Sequence, residues 1–341
     1  MNTAESGMGA ELREAPEAVR RQAAALPGPL RDLVDRLRRK PPQVVVTCAR
    51  GSSAHAATFG KHLIERTLGI PVAAAAPNIS TVYHRPLELK DQLFLAISQS
   101  GRSDDLIETA SLARSAGAVT AALVNDVQSP LARASDIVLP ISAGPEKAIA
   151  ATKSFVASLA ALLRLVATWT QDGALTAAVD RLPDRLAAAA ALDWSAAVDL
   201  LADSDSLITI GRGPTLAIAR EAALKLKETC DLHAEAFSGA EFVHGPIALV
   251  SARFPILMFM PTDQAAEGLL TLSRNLDQKG AHVLASAHAG APGLPVVVPD
   301  HPEADAVCLI QSFYAFLGHL ARTRGMDVNQ PRHLQKVTRT R

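Results

Sequence analysis

Two stretches of this chain carry side chains whose types and spacing could do chemistry. In the first, Glu221, Lys225 and Glu228 recur at i, i+4 and i+7, so a helix would turn all three to one side. That stretch opens on Gly211-Arg-Gly-Pro214 and ends in Val243-His244-Gly245-Pro246. A carboxylate on a rigid helix and a histidine on a loop fixed by Gly-Pro are parts of general acid–base catalysis. The same charges can equally be solvated surface pairs, each worth about 0.2–0.5 kcal/mol. In the second stretch, an apolar run from Leu93 to Ile97 ends in Ser98-Gln99-Ser100-Gly101-Arg102-Ser103-Asp104. Three hydroxyls and an amide would then sit where a strand turns into a helix. The first N–H groups of such a helix lack internal partners, and its dipole favours an anion. This spacing predicts a phosphate-binding turn. Gly51-Ser52-Ser53 offers a second set of hydroxyls after the preceding strand. No Gly-Lys-Ser/Thr follows either turn, and neither Gly51-Ser-Ser-Ala-His-Ala nor Gly211-Arg-Gly-Pro-Thr-Leu completes a dinucleotide fingerprint, which argues against a nucleotide or NAD.

The elements that must position these residues are legible as alternation. Apolar runs at Gln43–Thr47, Val72–Ala76, Leu93–Ile97, Val119–Val124 and Ile137–Ile141 are separated by helical patterns, among them Ala54–Thr67 and Asp105–Ala116. The helical run Ser154–Thr170 follows the last of them. Such order predicts a parallel sheet covered on both faces. The same order returns later, with Leu207–Ile210, Phe254–Met260, residues 279–284 and Leu294–Val298 as strands and Ala306–Arg322 as the closing helix. The expected fold is therefore α/β, two similar three-layer α-β-α domains, one a diverged copy of the other. The expected divisions are an N-terminal helical segment 1–39, domains at 40–174 and 199–325, a linker helix at 175–198 and a tail at 326–341. The segment between Cys230 and His244 reads as irregular.

Composition narrows the function classes. The 341 residues carry 34 Lys+Arg and 34 Asp+Glu, a formal net charge of zero, with 4% aromatics. That balance gives no reason to expect nucleic-acid binding. The three cysteines Cys48, Cys230 and Cys308 form no paired spacing, which suits a reducing compartment. The N-terminal residues lack the apolar core of a secretory signal, and the longest apolar helix candidate, Phe155–Trp169, is broken by Arg164 and too short to span a bilayer. A cytoplasmic protein without a membrane role is expected. No His-Glu-x-x-His or comparable ligand set occurs, and His233-Ala-Glu235 is too sparse to be one, so neither metal nor cofactor is expected.

Five motifs in order, Ser-Gln-Ser-Gly at 98–101, Ala-Thr-Lys-Ser-Phe at 151–155, Ala-Leu-Lys-Leu-Lys-Glu at 223–228, His-Gly-Pro at 244–246 and Asn-Gln-Pro-Arg at 329–332, resemble SIS (sugar isomerase) domains. The pattern is similar to the isomerase half of the glutamine–fructose-6-phosphate amidotransferases. That resemblance implies two SIS domains and an amino- or keto-hexose 6-phosphate as ligand. It implies that Ser98, Gln99, Ser100 and Ser103, with Ser53, hold the phosphate, and that Ser52, Ile149 and Ala151 touch the sugar. It further implies that Glu228 moves a proton between C1 and C2, with Lys225 close by. His244 would open the sugar ring of the neighbouring subunit, making a homodimer with shared sites, and Lys336 of the tail would lie beside the sugar carbonyl.

Two departures shift the expected reaction. Met1 is followed by Asn2 where the amidotransferases carry a cysteine nucleophile ahead of a glutamine-hydrolysing domain. Ala151 stands where the synthase has a sugar-contacting serine, and Arg102 where it has an acid. The chain thus looks like the SIS-type glucosamine-6-phosphate deaminases, which yield fructose 6-phosphate and ammonia. Action on fructosamine 6-phosphate or an aminogalactose phosphate, and a non-catalytic sugar-phosphate sensor, are the alternatives.

Overall fold

The computed structural model describes residues 7–287 and 293–336. Three helices come first, α1 (Met8–Arg13), α2 (Ala15–Ala25) and α3 (Pro27–Arg39). Next come β1 (Val45–Ala49), α4 (Gly51–Leu68), β2 (Val72–Ala74), α5 (Pro77–Thr81), β3 (Leu93–Ser98), α6 (Asp104–Ser115), β4 (Val119–Val124), α7 (Pro130–Ala134) and β5 (Ile137–Pro140). After α8 (Lys153–Thr170), α9 (Gly173–Ala190) and α10 (Ser195–Leu201) follow β6 (Ser206–Gly211), α11 (Thr215–Cys230), β7 (His233–Ser238), α12 (Gly239–Phe242) and a 3-10 turn at Pro246–Leu249. The chain closes with β8 (Pro255–Met258), α13 (Ala266–Gln278), β9 (His282–Ala287), β10 (Leu294–Pro295) and α14 (Pro302–Thr323).

The residues group into two compact units. The first holds Glu17–Glu146, Lys153–Asp180 and the residues after Leu334; the second holds those up to Pro16, Lys147–Thr152 and Arg181–Leu334. In the first unit five parallel strands run in the order β2-β1-β3-β4-β5. All six residues of β3 are buried, which is why its sequence is a continuous apolar run rather than an alternation. One face packs Val46, Cys48, Phe94 and Ala96 against Leu106 and Ala110 of α6. Each aliphatic or aromatic side chain fully buried here contributes about 1.5–3 kcal/mol. Strand order reverses between β1 and β3, the place where open α/β sheets bind ligands beyond the strand ends.

In the second unit the parallel order is β10-β9-β8-β6-β7, which read from the other edge repeats the first sheet. The tandem α/β architecture is therefore present twice, flanked by helices both times. Ile208, Ile210, Ile256 and Met258 bury one face of this sheet against Leu269, Leu272 and Leu276 of α13. Strand β7 corrects the sequence reading, which left His233–Ser238 irregular. It pairs along all of β6, from Ser206↔His233 to Gly211↔Ser238. The run His-Ala-Glu-Ala-Phe-Ser has no β-branched residue, and at a sheet edge it is the ladder rather than propensity that makes the strand.

Smaller differences have local causes. Helix α4 begins at Gly51, not at Ala54, because Arg50 in extended conformation starts it directly after β1. Strand β10 is only Leu294–Pro295, since Pro295 ends the ladder. The longest apolar helix is α14, Pro302–Thr323, the one helix among the described residues long and apolar enough to cross a membrane. Of its most apolar window 83% is buried inside the protein, so it is a core helix.

Candidate active site

The hydroxyl-rich turn after β3 gathers Ser98, Gln99, Ser100 and Ser103 between the end of that strand and the start of α6. The Ser98 hydroxyl oxygen accepts from the Gly101 N–H at 3.0 Å, and that of Ser100 accepts from the Arg102 N–H at 3.3 Å. Both bonds curl the backbone back on itself and leave each O–H proton free to point elsewhere. Ser103 has N-cap geometry for α6, yet its side chain caps nothing. The side chains of Ser52, Ser53, Gln99 and Ser103 have no hydrogen-bond partner among the described residues, although all four lie at the carboxyl ends of β1 and β3. Strands β1 and β3 are adjacent, with Ala49 beside Ile97, so the two turns are neighbours.

Arg50 ties those turns together. Its Nε and Nη2 donate to Asp105 Oδ2 at 2.9 and 2.6 Å, while Asp105 Oδ1 accepts the Leu106 N–H at 2.9 Å. The Asp105 side chain is almost wholly buried. A buried carboxylate held by a guanidinium and an N–H is fixed in place. Helix α6 therefore starts at a set distance from the turn that opens α4. Arg102, the other cation of the loop, is taken up by Asp126 at 2.8 Å. Gly101 has φ 63°, and a Cβ there would lie 2.2 Å from Ser129 Oγ and 2.5 Å from Ser129 Cβ. Gly101→Ala is expected to cost about 1–3 kcal/mol through backbone strain and this clash, visible as a lowered midpoint of thermal unfolding.

The carboxylate–lysine set lies on α11 of the second unit. The structure decides between buried and solvated: the side chains of Glu221 and Lys225 are 0% and 1% exposed, and that of Glu228 is 20% exposed. Lys225 Nζ lies 2.5 Å from Glu228 Oε2 and 3.5 Å from Glu221 Oε1. From α14, Tyr314 Oη donates to Glu221 Oε1 at 3.0 Å. A buried ammonium is tolerated only when paired and hydrogen-bonded, and here two carboxylates share it. Helix α11 is pinned at both ends. The Thr215 hydroxyl donates to the Phe259 carbonyl at 2.7 Å, and Arg324 donates to the carbonyls of Cys230, Leu201, Ala202 and Ser204 at 2.7–3.0 Å. A cation at the helix C-terminus also complements its dipole.

His244 sits between α12 and the 3-10 turn, its N–H bonded to the Glu241 carbonyl at 3.0 Å. Its side chain is exposed and has no partner among the described residues. Gly245 has φ 144°, open only to glycine, and Pro246 starts the turn that follows. Val243, next to it in the chain, and Leu249, five residues on, are 45% and 57% exposed. Ile149 and Ala151 lie in the segment 147–152, which Glu11 of α1 holds by accepting the N–H groups of Lys147 and Ala148. Lys336 is half-buried at the end of the described chain.

Arg50, Glu11 and Tyr314 were not singled out by sequence reading. Arg50 and Glu11 lie far in sequence from the groups they hold, and Tyr314 resembles any aromatic of a core helix. The thiols are not reactive groups. Burial pushes Cys48 up to about 12, aided by the Asp105 charge and opposed by Arg50, and burial likewise lifts Cys230 to about 11 and Cys308 to about 12. Among the described residues no group of three or more His, Cys, Asp or Glu side chains could hold a metal ion.

Comparison with known proteins agrees with this architecture. A curated relative, the isomerizing glutamine–fructose-6-phosphate aminotransferase of Symbiobacterium thermophilum, is 36% identical over 316 residues, covering 86% of this chain and 51% of the relative. The chain thus spans about half the length of the curated relatives it matches. Among solved structures, a protein of Silicibacter pomeroyi DSS-3 assigned to the phosphosugar isomerases superposes with TM-score 0.90 at 41% identity, covering 94% of this chain and 99% of that one. The C-terminal domain of the Francisella tularensis glucosamine-fructose-6-phosphate aminotransferase gives TM-score 0.85 at 26% identity, covering 97% and 99%. The SIS domain model matches residues 40–168, around the first sheet, and 200–289, around the second, and the chain belongs to the SIS domain family.

Proposed function

We propose that the chain is a phosphosugar isomerase of SIS type that converts glucosamine 6-phosphate into fructose 6-phosphate and ammonia. The observation that carries this reading is the buried Glu221–Lys225–Glu228 cluster, in which one carboxylate alone keeps access to solvent. The cradle of Ser98, Gln99, Ser100 and Ser103, with Ser53, takes the phosphate; Ser52, Ile149 and Ala151 meet the sugar. His244 moves the ring-opening proton between O1 and O5. Glu228 then takes the C2 proton from the open-chain amino-aldehyde and returns it to C1. The C–H bond at C2 breaks, a new one forms at C1, O1 gains a proton as the nitrogen gives one up, and the product is a 2-imine. Water adds to that imine, and ammonia leaves from C2.

Lys336 stands beside the oxygen that becomes negative during enolisation, where an ammonium is worth most. One consideration supports deamination over amide transfer: in water the hydrolysis of an imine is driven by the solvent itself. The exposed imidazole, with Val243 and Leu249 also exposed on the same segment, supports a homodimer in which His244 serves the partner's sugar. A cytoplasmic location follows the same reading.

The test is to incubate the pure protein with glucosamine 6-phosphate, fructosamine 6-phosphate and galactosamine 6-phosphate. Ammonia and ketose phosphate are then followed. Ammonia and fructose 6-phosphate in equal amounts from glucosamine 6-phosphate are expected. Turnover of another amino-sugar phosphate alone moves the substrate assignment, and saturable binding without any turnover makes the chain a sensor.

A further inference from the structure

We infer that Tyr314 and Glu221 are positioning residues that brace Lys225 and thereby decide which oxygen of Glu228 carries the proton. The inference rests on the acid–base role proposed for Glu228. Lys225 is buried and its ammonium is bracketed along α11, by Glu221 one turn before and by Glu228 one turn after. On a helix these positions share a face, but a four-carbon stem could place its nitrogen at either carboxylate. Glu221 cannot follow it, because its Oε1 is held by the Tyr314 hydroxyl at 3.0 Å, and Tyr314 is itself fully buried in α14.

The brace therefore runs from one helix to another: phenol to carboxylate, carboxylate to ammonium, ammonium to carboxylate. Its last contact, 2.5 Å, engages Glu228 Oε2. Oε1 of Glu228 has no protein partner among the described residues, so it is the oxygen left to accept a proton from carbon and return it. Without Glu221 the ammonium would turn more fully to Glu228, and the base would be drawn into a structural ion pair. Without the Tyr314 hydroxyl, Glu221 could turn and compete for the ammonium at a new distance. Both losses act on proton transfer and leave the phosphate cradle untouched.

The experiment compares wild type, Tyr314→Phe, Glu221→Gln and the double variant with the amino-hexose 6-phosphate that the wild type turns over. Rates are normalised to sites titrated by calorimetry with a non-reacting sugar phosphate. Glu221→Gln is expected to lower kcat by about tenfold or more and Tyr314→Phe by about fivefold, each with KM within about twofold of wild type. The double variant is expected to equal Glu221→Gln alone, since the phenol's effect on Lys225 and Glu228 runs through that carboxylate. Variants that keep wild-type kcat per titrated site, or losses that multiply in the double variant, overturn the brace. A wild type that turns over no amino-sugar phosphate instead overturns the catalytic reading. Titrated binding keeps a misfolded variant from being mistaken for a slow one.

Discussion

Glu228→Gln lowers kcat for ammonia release by about 10²–10⁴-fold and leaves KM nearly unchanged, the expected outcome when a proton carrier is replaced by its neutral isostere. The amide keeps the shape of the carboxylate and can still accept from Lys225 Nζ through its oxygen, so helix α11 and its buried pair with Glu221 stay intact. The turn proposed to hold the phosphate lies on other elements, at the end of β3 and the start of α6, so affinity for the sugar phosphate is expected to persist. Steady-state kinetics together with calorimetric binding separate the two quantities. Retention of more than about a tenth of wild-type kcat would falsify the proton-transfer assignment.

The second large effect is a restoration. Glu228→Gln and His244→Ala homodimers are each expected to be nearly inactive, since both lose a proton-transfer group. If His244 serves the partner's sugar, a mixed dimer holds one site with both defects and one with neither. Equal mixing by reversible dissociation then returns roughly a quarter of wild-type activity, because about half the dimers are mixed and each has one sound site. Side chains of one subunit acting on its own sugar would give no recovery. The exposed side chains of Val243 and Leu249, on the segment that carries His244, are surface such an arrangement would cover.

How far the residues alone led differs between the two units. The strands of the first unit were legible because β3 and its neighbours are buried on both faces and read as unbroken apolar runs. The strand-to-helix turn after β3 was legible because Ser98, Ser100 and Ser103 follow an unbroken apolar run. Strand β7 was not legible, since Ala234, Ala236 and Phe237 join the sheet by backbone pairing at its edge. The spacing of Glu221, Lys225 and Glu228 showed a shared helical face but not its burial. Burial depends on α14, about ninety positions later, which no local pattern could connect to α11. The same holds for Arg50 and Asp105, whose pairing depends on the adjacency of β1 and β3.

Helix α11, fastened by Thr215 to the end of the sheet and by Arg324 at its last carbonyls, has little freedom to slide along its axis. It works as a fixed ruler. On the acid–base role proposed for Glu228, a carboxylate carried by so fixed a helix selects for substrates that bring their reacting carbon to it.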